Sequence, residues 1–414
     1  MHPERSQELL PYRLISTRLP GFGHRHLLIN RKTNTPTPAA SLYEINLSQS
    51  TESYNTVHTA LYNLAYLYSW AAYQNVDIDH LLLCGQGLSR PQIRSFAAWL
   101  RNRSKTSSGS ISRSKRQSIN AKLTACSTAC VWFIDQFAKA SNSSTYNVEV
   151  ELKAQSQARA WKEAKLKSPK NNGAPDLLER EIESIEAFLN PENKNRLINR
   201  DLAYRDYLIW RMAIEFGMRL GEILAMRTFE CPTRNAQYFR IVRIEEREED
   251  YFDPRNKPPR PKTLSRDLGF LFENTRFPAL VSNYITEHRL PWIQRNGKRM
   301  RKLKLPHAFL ITSQAGAPLS IRSAHSIAKD IREGTGVDFH WHLARHAFFN
   351  RMYEDIAGIE NRSEYQAKLD DLILWGGWSN EASIEKYTKN ARMNRVRAPF
   401  KLLNSGAKLW TAIN

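Results

Sequence analysis

Apolar residues recur at helical spacing over most of this chain, and only short stretches alternate as strands do. In 55–75 the set Leu61, Leu64, Ala65, Tyr68 and Ala72 repeats every three or four residues, which turns one helix face toward a core. Ser89-Arg90-Pro91 carries the chemistry of a helix start, a hydroxyl cap and a proline in the first turn, and predicts a helix through Leu100. Further helices are expected over 118–140, 176–190 and 201–216, and from about 278 to the end. Against these stands Tyr238-Phe239-Arg240-Ile241-Val242-Arg243-Ile244, whose alternation predicts a strand. A Pro/Arg/Lys hairpin segment follows, then a partner strand near 263–272. The expected fold class is therefore mainly α with a small antiparallel β-sheet. At 414 residues, two to three domains are expected. Residues 1–50 read as an irregular or β-containing N-terminal extension, 51–150 as a helical unit and 151–175 as a linker. Residues 176–414 read as a second, mainly helical unit with a C-terminal tail.

Charge narrows the partners. Lys and Arg number 61 against 41 Asp and Glu, a formal net charge of +20. The excess is local. Residues 101–122 hold seven basic residues and no acid, and so do 288–304, whereas 201–250 hold eight basic and ten acidic residues. Two separated basic stretches suit a protein that grips a phosphate backbone from two sides, and solvated loops are the plainer alternative. In the first stretch the candidate DNA-binding residues are Arg101, Arg103, Lys105, Arg113, Lys115, Arg116 and Lys122. No run approaches the roughly 20 apolar residues of a membrane span. The start, MHPERSQELLPYR, lacks the apolar run of a signal peptide. Four cysteines are too few for a disulfide framework and fit a reducing, cytoplasmic setting.

Several motifs point nowhere. Cys126 and Cys130 lie on an apolar helix without a partner at zinc spacing, which favours two core thiols. Gly85-Gln86-Gly87 lacks the third glycine of a dinucleotide loop, and no Walker phosphate loop is present. The acidic run from Glu245 to Asp250 reads as a solvated hairpin end. His342 and His346 are four apart, but Leu343 stands where a zincin needs its Glu. No metal and no cofactor are expected.

Four elements gain meaning together. In Gly217-Met218-Arg219-Leu220-Gly221-Glu222-Ile223, Gly217 can end a helix, while Arg219 and Glu222 share a face three residues apart. An arginine fork can hold a phosphate, and a carboxylate can orient the arginine. His342-Leu343-Ala344-Arg345-His346 opens an apolar helix and puts His342 and Arg345 at its N-terminal end, where anions bind well. Trp375-Gly376-Gly377-Trp378 precedes Tyr387 by nine residues, counted from Trp378. Lys262-Thr263-Leu264-Ser265-Arg266 lies on the hairpin segment, which also offers Lys257.

In this order the elements resemble the tyrosine recombinases, also called the phage integrase family. The likeness covers 175–414 by motif and extends more loosely to 51–150, which looks like the family's helical core DNA-binding domain. Three departures stand out: Gly376 where the family usually has Leu, Trp378 where it usually has His, and Met226 where Leu is usual. The resemblance implies a catalytic domain over 176–414 that breaks and rejoins DNA without metal or ATP. It assigns Tyr387 as nucleophile, Arg219 and Arg345 as phosphate clamps, His342 as proton acceptor and Trp378 as hydrogen-bond donor. Lys262, preferred to Lys257, would be the general acid, and Glu222 would orient its neighbours. The partner implied is double-stranded DNA bearing a recombination site, bound by a homo-tetramer with no membrane involved. Integration or excision of a mobile element, in the cytoplasm at the nucleoid, is the expected role. A type IB topoisomerase-like or resolvase enzyme, or a non-catalytic DNA-binding protein, is the alternative. Residues 396–414 read either as a tail docking on a neighbour or as packing on their own domain.

Overall fold

Apolar spacing becomes long helices wherever caps allow it. The computed structural model describes residues 9–19, 23–51, 54–105, 109–138, 144–167, 176–196, 198–232, 238–248, 251–255, 257–261, 264–269, 276–295, 297–378, 381–385, 387–388 and 392. Among these the chain is mainly α-helical, with three two-stranded antiparallel sheets. It divides into two compact units, Met1–Lys170 and Asn171–Asn414.

The first unit opens with a hairpin of β1 (Tyr12–Leu19) and β2 (Gly23–Asn30), in register from Tyr12 opposite Asn30 to Leu19 opposite Gly23. Six helices follow: α1 (Pro38–Ser50), α2 (Tyr54–Tyr73), α3 (Ile78–Leu83), α4 (Arg90–Ser104), α5 (Arg113–Ala138) and α6 (Ser144–Glu163). Ser89 caps α4 as its sequence suggests, and Gln92 returns the bond to the Ser89 backbone at 2.8 Å. Leu28 of the hairpin and Ala39, Ala40 and Tyr43 of α1 share one core with Leu61, Leu64, Phe96, Phe133 and Trp161. Fully burying a side chain such as Leu61 contributes about 1.5–3 kcal/mol. The hairpin is the β-structure that the sequence allowed for residues 1–50, and together with α1 it is built into this core. Helix α1 is not legible in the sequence because its buried face mixes Ala39, Ala40 and Tyr43 with Glu44 and carries no clear apolar stripe. Helix α6 occupies 144–163, so much of the expected linker is helix. Cys126 and Cys130 are buried free thiols, as their apolar helix suggests.

The second unit contains α7 (Glu179–Leu189), α8 (Arg200–Phe216), the short α9 (Leu220–Ala225), β3 (Tyr238–Ile241) paired with β4 (Arg266–Gly269), and α10 (Arg276–Asn283). After a π-helical turn at Tyr284–His288 come β5 (Trp292–Arg295) and β6 (Lys298–Arg301), then α11 (Ile321–Thr335), α12 (Trp341–Ala357) and α13 (Arg362–Gly376). The β5–β6 hairpin corrects the expectation of helix from 278 onward. Asp201 anchors it, accepting from Arg301 at 2.8 and 2.9 Å and from the Trp292 indole at 3.1 Å. Arg289 is also engaged internally, donating to the Phe309 carbonyl. The second basic block therefore does not lie wholly open to a partner. Two apolar clusters fill this unit. The larger joins α8, α9, β3, β4 and α11. The smaller sets Phe348, Phe349, Tyr353, Leu369 and Leu372 around Trp378, Ile384 and Tyr387.

Candidate active site

Helix α8 stops at Gly217, whose φ of 61° is left-handed. A Cβ there would be strained and would stand 2.4 Å from the Phe348 ring. The sharp stop buries Met218 and puts Arg219 at the N-cap of α9. One turn on, Glu222 accepts the Arg219 backbone N–H at 2.9 Å and its guanidinium at 3.1 Å. Glu222 is almost fully buried, and Arg266 of β4 also donates to it, at 3.2 Å to each oxygen. Burial pushes this carboxyl up, but the charges of Arg266, Arg345 and Arg219 outweigh burial and hold it at about 2.

His342, Arg345 and His346 stand on the first turns of α12. Arg345 is 0% exposed. Its guanidinium donates to the Gly217 carbonyl, and to the Gly376 carbonyl at 2.9 Å. It lies 4.5 Å from the centre of the Phe349 ring, 4.9 Å from Trp378 and 5.2 Å from Tyr387. Burial, then the neighbouring Arg219, lowers it to about 9. Its Nε has no partner among the described residues. The Tyr387 hydroxyl lies 3.3 Å from His342 Nε2. His342 is exposed to solvent, yet surrounding protein first, then Arg345 and Arg219, hold it down to about 4. At neutral pH this imidazole is uncharged and has a lone pair to accept a proton.

The end of α13 ties these pieces together. Trp375 donates its indole N–H to the Phe216 carbonyl at 2.9 Å, joining α13 to the end of α8. The Trp375 carbonyl accepts Arg266 at 2.6 Å. The Gly376 carbonyl accepts both Arg345 and, at 3.1 Å, Arg219. Three guanidiniums thus meet the last carbonyls of one helix, which is its negative end. A cleft of about 430 Å³ opens beside them, lined by Arg219, His325, His340 and His342 among others.

Arg219, Glu222, His342, Arg345, Trp378 and Tyr387 are therefore gathered in one place. Lys262 lies outside the described residues, as does the tail 396–414; Lys257 is exposed on the β3–β4 connection. Two residues of the cluster have no role assigned from sequence. Arg266 closes the Lys-Thr-Leu-Ser-Arg run and is the second arginine on Glu222. His346 closes the His-x-x-Arg-His run and lies 4.6 Å from the Tyr387 ring, held down to about 4 by burial and then His342. Both stand beside residues with motif signals, and only contact singles them out.

The basic residues of the first unit divide. Arg101 donates to the Ala164 carbonyl at 3.1 Å, Arg116 to Ile111 and Lys167 carbonyls, and Lys122 to Ser118 while covering the Tyr66 ring. Arg103 lies over Trp99. Lys105, Arg113 and Lys115 are exposed. The stretch expected as a loop is largely the end of α4 and the start of α5, because arginine and lysine are good helix formers.

No family model matches the chain, and no curated protein does. Among solved structures it is similar to XerA recombinase, at 10% identity, covering 87% of this chain and 97% of that one with a TM-score of 0.38. It is also similar to XerH site-specific recombinase bound to difH substrate before cleavage, at 12% identity, 84% and 89% coverage and a TM-score of 0.38. The post-cleavage complex of XerH with palindromic difH gives 12% identity, 77% and 95% coverage and a TM-score of 0.39.

Proposed function

We propose that the chain is a site-specific tyrosine recombinase that cleaves and rejoins duplex DNA through a 3′-phosphotyrosyl intermediate. One observation carries the reading. A tyrosine hydroxyl meets an uncharged histidine 45 residues away in sequence, beside a buried arginine one of whose N–H groups has no partner among the described residues. A buried guanidinium with no carboxylate bonded to it is costly to fold around, and a phosphate would supply the missing acceptor.

The chemistry follows from the contacts. Tyr387 Oη attacks a backbone phosphorus and its proton passes to His342 Nε2. The bond from phosphorus to the 5′ oxygen breaks as the tyrosyl ester forms. Arg219 and Arg345 offset the charge that gathers on the non-bridging oxygens, and the Trp378 indole can donate one further hydrogen bond. Glu222 holds Arg219 in place. Lys262 would give the departing 5′ oxygen its proton. Attack by a 5′ hydroxyl on the ester reverses the step and releases the tyrosine, so no external energy source is needed. Exchange between two sites calls for four chains on two duplexes, and integrating or excising a mobile element would be its use.

The test is covalent capture. Wild-type protein is incubated with nicked duplexes tiled across the DNA flanking its gene and run on a denaturing gel. A protein–DNA adduct and joining of strands from two fragments are expected. An adduct without joining would reduce the activity to relaxation or resolution, and no adduct on any fragment would overturn an enzymatic role.

A second expectation concerns binding. Replacing exposed Arg113 and Lys115 with Gln should weaken binding to the fragment that forms the adduct. The slope of log affinity against log salt should fall by about 1 for each phosphate no longer neutralised, hence by about 2 for the pair. Cleavage at saturating protein should hold. An unchanged slope would show that the DNA does not follow the start of α5.

A further inference from the structure

Two glycines stand side by side where α13 ends, and their tasks differ. Gly377 has a φ of 66°, and the Trp378 N–H behind it reaches the Ile373 carbonyl at 3.1 Å. That closure needs a left-handed residue. Gly376 has no such backbone requirement. A Cβ added to it, however, would stand 2.3 Å from Cε3, 2.4 Å from Cζ3 and 2.7 Å from Cδ2 of the Trp378 indole. These atoms belong to the six-membered ring. The indole has no easy way to yield: it is buried and packs 4.6 Å from Phe349 and 4.9 Å from Tyr387, ring centre to ring centre. The Arg345 and Arg219 guanidiniums lie 4.9 and 6.0 Å from its centre.

We infer that Gly376 is a positioning residue: its missing Cβ is the seat of the Trp378 indole, and through that ring it sets the nucleophile and both arginines. Gly376 and Trp378 form one unit, so the two departures from the family's usual Leu and His depend on each other. A histidine at 378 has only a five-membered ring and lacks Cε3 and Cζ3. With histidine there, the two closest contacts of a side chain at 376, those to Cε3 and Cζ3, are gone, and only the Cδ2 position is shared by the two rings. The consequences for cleavage rest on the recombinase reading; the steric coupling does not.

The experiment compares Gly376→Ala, Trp378→His and the double variant as full chains. Thermal unfolding is one readout. The other is single-turnover adduct formation, at saturating protein, on the fragment captured by wild type. Alanine favours a helix over glycine, so a merely local role for Gly376 predicts a higher Tm in Gly376→Ala. The coupling predicts the opposite sign, a fall of roughly 3 °C or more. It also predicts adduct formation slowed by at least about tenfold with binding kept, as expected for a displaced catalytic group. In the Trp378→His background the same alanine should leave Tm and rate unchanged or raise them. A raised Tm with an unchanged rate in Gly376→Ala would overturn the inference. So would a double variant as impaired as the sum of the two singles. If wild type forms no adduct at all, the recombinase reading fails while the thermal comparison still decides the coupling.

Discussion

Tyr387→Phe should bind its DNA fragment as wild type does and form no covalent adduct. The substitution removes one oxygen, whose polar contact is His342 at 3.3 Å. The ring stays, and with it the packing on Phe349, Trp378 and His346. Stability and binding should therefore hold while the attacking atom is gone. Loss of a covalent nucleophile leaves little residual chemistry, so the single-turnover cleavage rate should fall by at least roughly 10⁴-fold. The measurement is adduct yield over time on a denaturing gel, with affinity followed in parallel by gel shift. An adduct of unchanged yield in this variant would place the nucleophile elsewhere in the chain.

Glu222→Gln should be the most destabilising change at the site. The carboxylate takes hydrogen bonds from two arginines and lies in the field of a third, with 0% side-chain exposure. Removing its charge while keeping its shape leaves those cations buried without compensation, at a cost of about 3–5 kcal/mol. Acid should reveal the same interaction in wild type. The folded carboxyl titrates near 2 against an ordinary 4.5, so its contribution is fully present above pH 4.5. It fades as pH falls from there toward 2, amounting to roughly 3 kcal/mol over the range. Unfolding in urea, followed between pH 2 and 6, should show a steeper acid loss in wild type than in Glu222→Gln. Equal slopes and equal midpoints would mean that the three arginines do not depend on this carboxylate.

Much of this architecture is legible in the order of residues alone. The helices α2, α4, α5 and α8 follow from apolar spacing and caps that are local in sequence. Six residues of the site stand out by motif and order, and they meet. Where expectation and fold part, the cause is non-local. Helix α1 has no clear stripe, because it buries Ala39, Ala40 and Tyr43 together with Glu44. The β5–β6 hairpin sits in a run whose lysines and arginines read as a solvated stretch, and Asp201, about a hundred residues away, fixes it. Arg101 and Arg116 look available to DNA by sequence, but each directs donors to backbone carbonyls of the same unit.

The sequence by itself determined which side chains the proposed chemistry would use. A tyrosine, two arginines, a histidine and a tryptophan stand in an order that resembles the tyrosine recombinases, and that resemblance implies attack on a phosphate. Only the tertiary structure decided what holds them. The Gly217 and Gly376 carbonyls fix Arg345, Arg266 shares Glu222 with Arg219, and an absent Cβ at Gly376 seats the indole. Backbone carbonyls are the same at every residue, and a missing atom matters only for what fills its place. Neither leaves a mark in the order of side chains until the chain folds and brings distant segments into contact.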